Sequence, residues 1–323
     1  MERTKMSEQV KRNAEKEPEQ EPEYEGDTDT TISTGSTLLD LAISGGRVYG
    51  GGIPSGIFVE IFGPSGCGKT VLLCEIAGAI QRQGGQVLFR DPEARLDKKF
   101  AEIFDLNMDE ADYDKPDTVR QMFKPIHDWE PEPEEATHGI FTDSLAALST
   151  EEEMDDKDGF GTERAKQFSS GFRRACRIVQ NKGYLMVTSN QVRQNIGGGP
   201  FGPKYISPGG EAIPHYTSLR LRCSHPSKLR EKHSMGRKTV KRPIGIQTKV
   251  TVHKSSVWKP FRTADITILF DYGIDDIRAN LQFVKDVRKE NVYYVRDNKL
   301  HQSLNKSIGA VEEHDLEEEL RKE

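Results

Sequence analysis

The stretch IFVEIFGPSGCGKTVLLCEIAGAI, residues 57–80, decides the fold of this chain. At its centre, Gly63-Pro64-Ser65-Gly66-Cys67-Gly68-Lys69-Thr70 fits the phosphate-loop pattern G-x-x-x-x-G-K-[ST] in full. A strand-like apolar run, 57–62, precedes the pattern, and apolar residues at helical spacing follow it. The glycines let the backbone point its amide groups at phosphate oxygens, and the following helix presents its N-terminus to the same anion. The stretch therefore predicts a strand–loop–helix nucleotide site.

Two side chains of this loop are expected to carry the chemistry. Lys69 would reach the β- and γ-phosphates, and the Thr70 hydroxyl would bind Mg²⁺. We interpret Cys67 as a small tolerated residue, because nothing beside it in the sequence marks a catalytic thiol.

Further strand-like runs alternate with helical segments, and this order predicts an α/β fold with a mostly parallel, twisted central sheet flanked by helices. A mobile loop is expected at 151–162, a helix at 163–181 and a basic loop at 224–243. The expected strands are 57–62, 87–90, 139–143, 184–190, 219–223, 248–254 and 266–270.

Three polar side chains stand at or just beyond the ends of these strands. Asp143 is placed to act on Mg²⁺ and Glu93 to hold an attacking water, while the Gln191 amide could sense the γ-phosphate. Each has an alternative that the sequence leaves open: a helix-capping aspartate, a solvent-exposed loop glutamate and a buried amide that satisfies backbone groups.

Charge is distributed unevenly along the chain. Its net charge is -6, but residues 217–262 hold thirteen Lys and Arg residues and a single acid, Glu231. Such a basic block suits a polyanion and is equally compatible with a solvated surface of strands and loops.

Composition excludes several classes of protein. No apolar run approaches the roughly eighteen residues that span a bilayer, and the charged N-terminus predicts no secretory signal. The four scattered cysteines argue against a disulfide scaffold or a structural zinc site and favour a reducing cytoplasm. We expect a charged, largely disordered segment at 1–29, and the family resemblance described below implies an ATPase core at 30–284 and a small C-terminal region with an acidic tail at 285–323.

Taken together, these segments resemble the RecA family of homologous-recombination ATPases over residues 31–284. The stretch SNQVR followed by a glycine-rich loop that ends in GG is more specific than the phosphate loop alone. The segments that carry the resemblance are TISTGSTLLD (31–40), GPSGCGKT (63–70), DPEARLD (91–97), KPDTVRQMF (115–123), FTDSLAAL (141–148), SNQVR (189–193), PGGEA (208–212) and KVTVHKSSVWKPFR (249–262).

The resemblance implies roles for individual residues in ATP binding and hydrolysis. Glu93 matches the catalytic glutamate, Asp143 the Mg²⁺-linked acid and Gln191 the glutamine that couples ATP to DNA. Asp97 and Phe100 match positions that line the adenine. Lys254 matches one of two lysines that reach the γ-phosphate from a neighbouring subunit, and Phe270 is placed to stack on adenine from a neighbour. The second interface lysine is replaced by Ser256.

The resemblance also implies two DNA-binding loops, at 154–164 and 193–212. The DNA-binding residues expected there and on the adjoining helix are Lys166, Arg173, Arg193, Gly197, Gly198, Phe201, Gly209 and Gly210.

The resulting expectation is an ATP- and Mg²⁺-dependent recombinase that forms a homo-oligomeric filament on single-stranded DNA and exchanges strands with homologous duplex DNA. Two alternatives stay open. One is a nucleotide-gated DNA-binding or mediator ATPase without strand exchange, and the other is a RecA-fold motor or regulatory ATPase.

Overall fold

A computed structural model describes residues 30–154, 160–194, 205–206, 212–235 and 238–323. Much of the expected DNA loop at 193–212 lies outside these residues, including Gly197, Gly198, Phe201, Gly209 and Gly210, and so do residues 155–159 of the loop expected at 154–164. None of the helices in the described ranges has the length and apolar character needed to cross a bilayer.

The expected α/β architecture is confirmed by a ten-stranded central sheet. The strand order is β14-β13-β12-β10-β3-β7-β6-β4-β5, and β11 pairs with β12 beside this path. The six strands from β10 to β5 are parallel, and the others pair antiparallel. The strands of the sheet are β3 Phe58–Gly63, β4 Val87–Arg90, β5 Asp112–Asp114, β6 Gly139–Thr142, β7 Leu185–Gln191, β10 Leu219–Cys223, β11 Ser227–Met235, β12 Lys238–Ser255, β13 Thr263–Leu269 and β14 Gly273–Ile274.

Three two-stranded pairs lie apart from this sheet in the described ranges: β1 Thr31–Ile32 with β2 Ile53–Pro54, β8 Arg193–Gln194 with β9 Tyr205–Ile206, and β15 Tyr294–Val295 with β16 Asn298–Lys299. The helices are α1 Thr37–Ser44, α2 Lys69–Arg82, α3 Lys98–Glu102, α4 Val119–Asp128, α5 Glu151–Met154, α6 Phe160–Lys182, α7 Ala212–Tyr216, α8 Asp276–Arg288, α9 Leu304–Glu313 and α10 Glu317–Lys322, with a 3-10 turn at Leu145–Ala147.

Helices cover both faces of the sheet because successive side chains of a buried strand point in opposite directions. In β3, Val59 and Ile61 pack with the apolar residues of α2, while Phe58 faces α4 and α6. The Phe58 ring stacks on Phe172 of α6 with centroids 4.7 Å apart. The phosphate loop therefore extends from the middle of a sheet that is packed on both sides.

Two expected loops are regular structure instead. Residues 227–235 and 238–255 form an antiparallel pair where a basic loop was expected at 224–243. The prediction of a loop was wrong because the described basic residues lie on a solvent-exposed two-stranded ribbon. Such strands do not require the alternation of apolar and polar residues that identifies a strand in a sequence. The mobile loop expected at 151–162 is also partly helical, since α5 begins at Glu151 and α6 at Phe160. Thr150 and Glu153 cap α5 reciprocally, each bonding the other's backbone N–H with its side chain.

The C-terminal part of the chain has a small core of its own. Ile277, Leu281 and Val284 of α8 pack with Tyr293, Val295, Val311 and Leu320. The boundary expected at 284/285 falls within α8. The division into an N-terminal segment, core and C-terminal region stays a proposal.

Candidate nucleotide-binding and catalytic site

The phosphate loop joins β3 to α2 with the geometry that its glycines require. Gly63 ends β3 and Lys69 begins α2, while Gly66 and Gly68 have φ angles of 71° and 92°. A side chain on Gly68 would place its Cβ 2.3 Å from the Cδ1 atom of Ile268. Glycine at 68 is therefore favoured by the left-handed backbone, and a larger residue would also displace the end of the Ile268 side chain on β13.

Lys69 is folded back over the loop that it follows. Its Nζ donates to the carbonyl oxygens of Gly63 at 3.2 Å and Pro64 at 2.8 Å, and the residue is 8% exposed. The ammonium group is thus already held at the mouth of the loop. An incoming phosphate oxygen could replace these carbonyls as its partner.

Thr70 and Asp143 meet at the first turn of α2. The Thr70 hydroxyl donates to Asp143 Oδ2 at 2.5 Å, and the Ser189 hydroxyl at the other side donates to Asp143 Oδ1. Burial raises the pKa of Asp143, and the two hydroxyl donors oppose that rise. A hydroxyl beside a carboxylate suits Mg²⁺, which takes few protein oxygens and completes its shell with phosphate and water. The residues therefore fit the expected ion.

Glu93 lies at the meeting point of three segments. Its Oε1 accepts from the Ser144 hydroxyl at 2.6 Å and from the Gln191 amide at 3.3 Å, and its Oε2 pairs with Arg95 at 2.7 Å. Its side chain is only 15% exposed, unlike the solvent-exposed loop glutamate that the sequence left open. The parallel register pairs Gly63 with Gln191, so β7 carries this amide to the base of the phosphate loop.

The two residues expected to line the adenine have local partners on α3. Asp97 caps this helix by accepting from the backbone N–H groups of Lys99 and Phe100. The Phe100 ring packs edge-on against Phe104 with centroids 5.0 Å apart. Phe270, expected to act on a neighbour's nucleotide, is half exposed. Their roles toward adenine stay predictions.

Lys254 is held within its own chain rather than extended. Its Nζ donates to the carbonyl oxygens of Pro214 at 2.8 Å and Thr217 at 2.7 Å. Desolvation, with a contribution from Arg220, lowers the pKa of Lys254. Ser256, where the second interface lysine is absent, donates its backbone N–H to Ser218.

Two of the basic residues expected at DNA, Lys166 and Arg173, lie near this lysine. Lys166 on α6 lines a cavity of about 820 Å³ together with Lys254, His215 and Tyr216. Arg173, about two turns further along α6, donates to the Tyr216 hydroxyl at 3.3 Å. The backbone of Arg193 belongs to β8 and pairs with Ile206.

Sequence reasoning missed a buried polar network beneath the loop. Glu60 is fully buried in β3, where it accepts from Arg220 Nε at 2.6 Å and from Asn190 Nδ2 at 3.0 Å. The Arg220 guanidinium also lies 4.4 Å from the centroid of the Phe62 ring. The single glutamate inside an otherwise apolar strand was the available signal, because a buried carboxylate needs a partner.

The chain is similar to known proteins over most of its length. The RecA N-terminal domain family matches residues 21–275. This chain belongs to the RecA family. Protein RecA, chromosomal, of Lactococcus lactis subsp. lactis is 30% identical over 295 residues, which cover 88% of this chain and 72% of that protein. Protein RecA of Bacillus thuringiensis is 30% identical over 298 residues, covering 90% of this chain and 82% of the relative. The RecA family consists of ATP-binding, DNA-binding ATPases of recombination and repair.

Proposed function

We propose that this RecA-family protein hydrolyses ATP with Mg²⁺ in response to single-stranded DNA and uses the nucleotide to drive homologous strand exchange. The observation that carries the proposal is the convergence of Glu93, Gln191 and the Thr70–Asp143 pair at the phosphate loop. The phosphate loop alone would support only nucleotide binding. The glutamate and the amide add the groups that hydrolysis and its coupling need.

Each residue has a defined part in this proposal. The backbone N–H groups of residues 65–69 and the Lys69 side chain bind the phosphates, and Thr70 and Asp143 would hold Mg²⁺, which neutralises phosphate charge when bound. Glu93 Oε1 accepts a proton from the attacking water and orients it. The Gln191 amide, now bonded to the same oxygen, would exchange this partner for a γ-phosphate oxygen.

The DNA part of the proposal is supported by the position of Gln191 in the chain. Gln191 ends β7 and leads directly into the glycine-rich segment 193–212. A change at this amide is therefore passed to the proposed DNA loop, as in other switches that respond to a γ-phosphate. We propose a homo-oligomeric filament in the cytoplasm, with ATP between subunits.

A second function, nucleotide-gated DNA binding without strand exchange, is favoured by one specific observation. Lys254 is bonded to two carbonyls of its own chain, and Ser256 supplies no charge beside it. A filament with one interface cation instead of two would hydrolyse slowly. The third possibility, a motor or regulatory ATPase with another substrate, would not respond to DNA.

Two assays separate these functions. ATP turnover is measured with and without single-stranded DNA, and we expect DNA to raise it by roughly tenfold or more, about 1.4 kcal/mol in the barrier. Strand exchange is then measured between a single strand and its homologous duplex, with a non-homologous duplex as control. Turnover that ignores DNA would contradict both DNA-dependent functions, and DNA-stimulated turnover without exchange would favour the second.

A further inference from the structure

Two thiols from distant parts of the chain meet beneath the phosphate loop. Cys67 belongs to the loop and Cys223 is the last residue of β10, and both are buried and free. Each thiol shifts the pKa of the other. A Cβ built on Gly63 would lie 3.0 Å from both Cys67 Sγ and Cys223 Cβ. The two side chains therefore meet in the space left by this glycine.

The sheet register explains why they meet. The parallel pairing of β3 with β10 sets Phe62 beside Arg222, so the next residues, Gly63 and Cys223, end the two neighbouring strands side by side. Gly63 also has no room for a side chain, since its Cβ would lie 2.6 Å from the Cys223 carbonyl oxygen. Cys67 then returns over Gly63 as the loop turns toward α2.

We propose that Cys67 and Cys223 form an oxidisable dithiol, a modification site for small peroxides such as hydrogen peroxide, whose disulfide blocks nucleotide binding at the phosphate loop. The expected loss of nucleotide binding rests on the proposed ATP site, whereas formation of the disulfide does not. The sequence alone indicated that Cys67 is a small tolerated residue. The proximity of Cys223, which is distant in the sequence, adds this second role.

The chemistry needs one peroxide molecule for each disulfide. The Cys67 thiolate attacks a peroxide oxygen, the O–O bond breaks, and hydroxide leaves to give a sulfenic acid on Cys67. The Cys223 sulfur then attacks Cys67 Sγ, and the S–O bond breaks as the departing oxygen takes the Cys223 proton and leaves as water. Two thiols and one peroxide thus give one disulfide and two waters.

The surroundings favour Cys67 as the thiol that reacts first. The neighbouring Cys223 side chain lowers the pKa of Cys67 against the opposing effect of burial, and the charge of Lys69 contributes to the lowering. Because the thiolate is the reactive form, Cys67 is the better nucleophile of the pair. Ser65 and Gly66 next to it are exposed, so a small oxidant has only the loop itself to pass.

The disulfide would alter the loop where it contacts phosphate. An S–S bond of about 2.05 Å is much shorter than the contact between two unbonded sulfur atoms, so closure draws Cys67 toward β10. The amides of the loop then lose the inward arrangement that phosphate needs. Lys69, whose Nζ lies 3.9 Å from Cys67 Sγ, is displaced with them.

The test treats the full-length protein with hydrogen peroxide and follows two readouts. Peptide mass mapping identifies the disulfide, and a fluorescent ATP analogue with Mg²⁺ reports nucleotide affinity before oxidation, after it and after dithiothreitol. We expect a 67–223 disulfide, an affinity weaker by roughly tenfold or more, and recovery on reduction. Saturating ATP and Mg²⁺ should slow disulfide formation, because bound nucleotide covers the loop.

Variants then assign the effect. Cys223→Ala should bind nucleotide normally when reduced and should keep its affinity in peroxide, while Cys176→Ser, a cysteine away from the loop, should respond like the unmodified protein. If Cys223→Ala fails to fold, Cys67→Ser is used instead. Its nucleotide affinity is measured before and after peroxide treatment and should not change.

Three results would overturn the proposal. They are oxidation without a 67–223 disulfide, a disulfide that leaves nucleotide affinity unchanged, and loss of affinity in peroxide that persists in Cys223→Ala. If the reduced protein binds no nucleotide, the proposed function fails, and the mass map still decides whether the dithiol forms.

Discussion

The side-chain amide of Gln191 donates to Glu93 Oε1 at 3.3 Å, which joins the end of β7 to the segment after β4. The same carboxylate oxygen accepts from Ser144 at 2.6 Å. The proposed water-orienting group and the proposed nucleotide sensor are thus in direct contact. Binding must rearrange this contact if Gln191 is to reach a phosphate.

Replacing Gln191 should therefore separate ATP binding from DNA binding. In Gln191→Ala we expect nucleotide affinity to stay within about threefold, while the gain in single-stranded DNA affinity caused by ATP is lost. DNA affinity is measured by fluorescence anisotropy with and without a slowly hydrolysed ATP analogue. Gln83→Ala, at an exposed glutamine just after α2, is the control and should retain the gain. A full ATP response in Gln191→Ala would contradict the coupling role.

Glu93→Gln should stop hydrolysis and leave binding intact. The glutamine oxygen can still accept from Ser144 and Gln191, so the site stays assembled, but the amide cannot take a proton from water. We expect the rate constant of ATP turnover to fall by roughly 10²–10⁴-fold, as for the loss of a general base. Glu102→Gln, at an exposed position on α3, should turn over normally. Surviving turnover in Glu93→Gln would show that another group positions the water.

Lys69→Ala should abolish measurable ATP binding. The ammonium group is held within the loop, bonded to Gly63 and Pro64. Isothermal titration calorimetry with ATP and Mg²⁺ measures the loss, and Lys99→Ala, at an exposed position on α3, serves as the control. Because Lys69 is buried, thermal melting of the variant must first match that of the parent. Unchanged affinity in a folded Lys69→Ala protein would refute the assignment of the phosphate site.

Gly68→Ala should destabilise the protein more than a comparable change elsewhere. Gly68 has a φ of 92° and its Cβ would meet Ile268, whereas Gly84 has a φ of 83° with open space around it. Backbone strain is common to both variants and costs about 1–3 kcal/mol, so the difference between them isolates the steric contact. Urea denaturation of Gly68→Ala, Gly84→Ala and Gly68→Ala/Ile268→Ala measures it. An equal decrease in the free energy of unfolding for Gly68→Ala and Gly84→Ala would mean that the Ile268 side chain moves aside with no loss of stability.

Stability should fall as the pH rises from about 4 to 7. Burial raises the pKa of both Asp40 and Glu75 to about 7, so the folded protein binds protons that the unfolded chain has released. The stability that this proton binding gives is complete below about pH 4 and is lost as pH passes through 7. In Asp40→Asn, the decline in the free energy of unfolding between about pH 5 and 8 should be shallower, by on the order of 2 kcal/mol. Identical slopes in the parent and the variant would contradict the raised pKa of Asp40.

The phosphate loop and its sheet could be predicted because their signals are local. The motif 63–70 fixes a strand, a turn and a helix within 57–80, and the apolar runs 87–90 and 219–223 match β4 and β10 to the residue. Asp143, Glu93 and Gln191 could be placed because strand ends in a parallel sheet lie at one edge. The partners of these side chains were out of reach, since Ser144 and Ser189 are ordinary residues until the fold sets them beside an acid.

Long-range pairs escaped prediction for the same reason. Nothing in the sequence near Cys67 or Glu60 points to Cys223 or Arg220, which become neighbours only through the β3–β10 pairing. The ribbon of β11 and β12 resembles a loop in sequence, because its stability comes from backbone pairing between two segments rather than from an apolar pattern in either.

The buried Glu60 cross-links three adjacent strands through Arg220 on β10 and Asn190 on β7. Asn190 immediately precedes Gln191, so this hydrogen bond ties β7 to β3 one residue before β7 ends. In the proposed coupling, the response to the γ-phosphate therefore begins at residue 191, because the residue before it is fastened to the neighbouring strand.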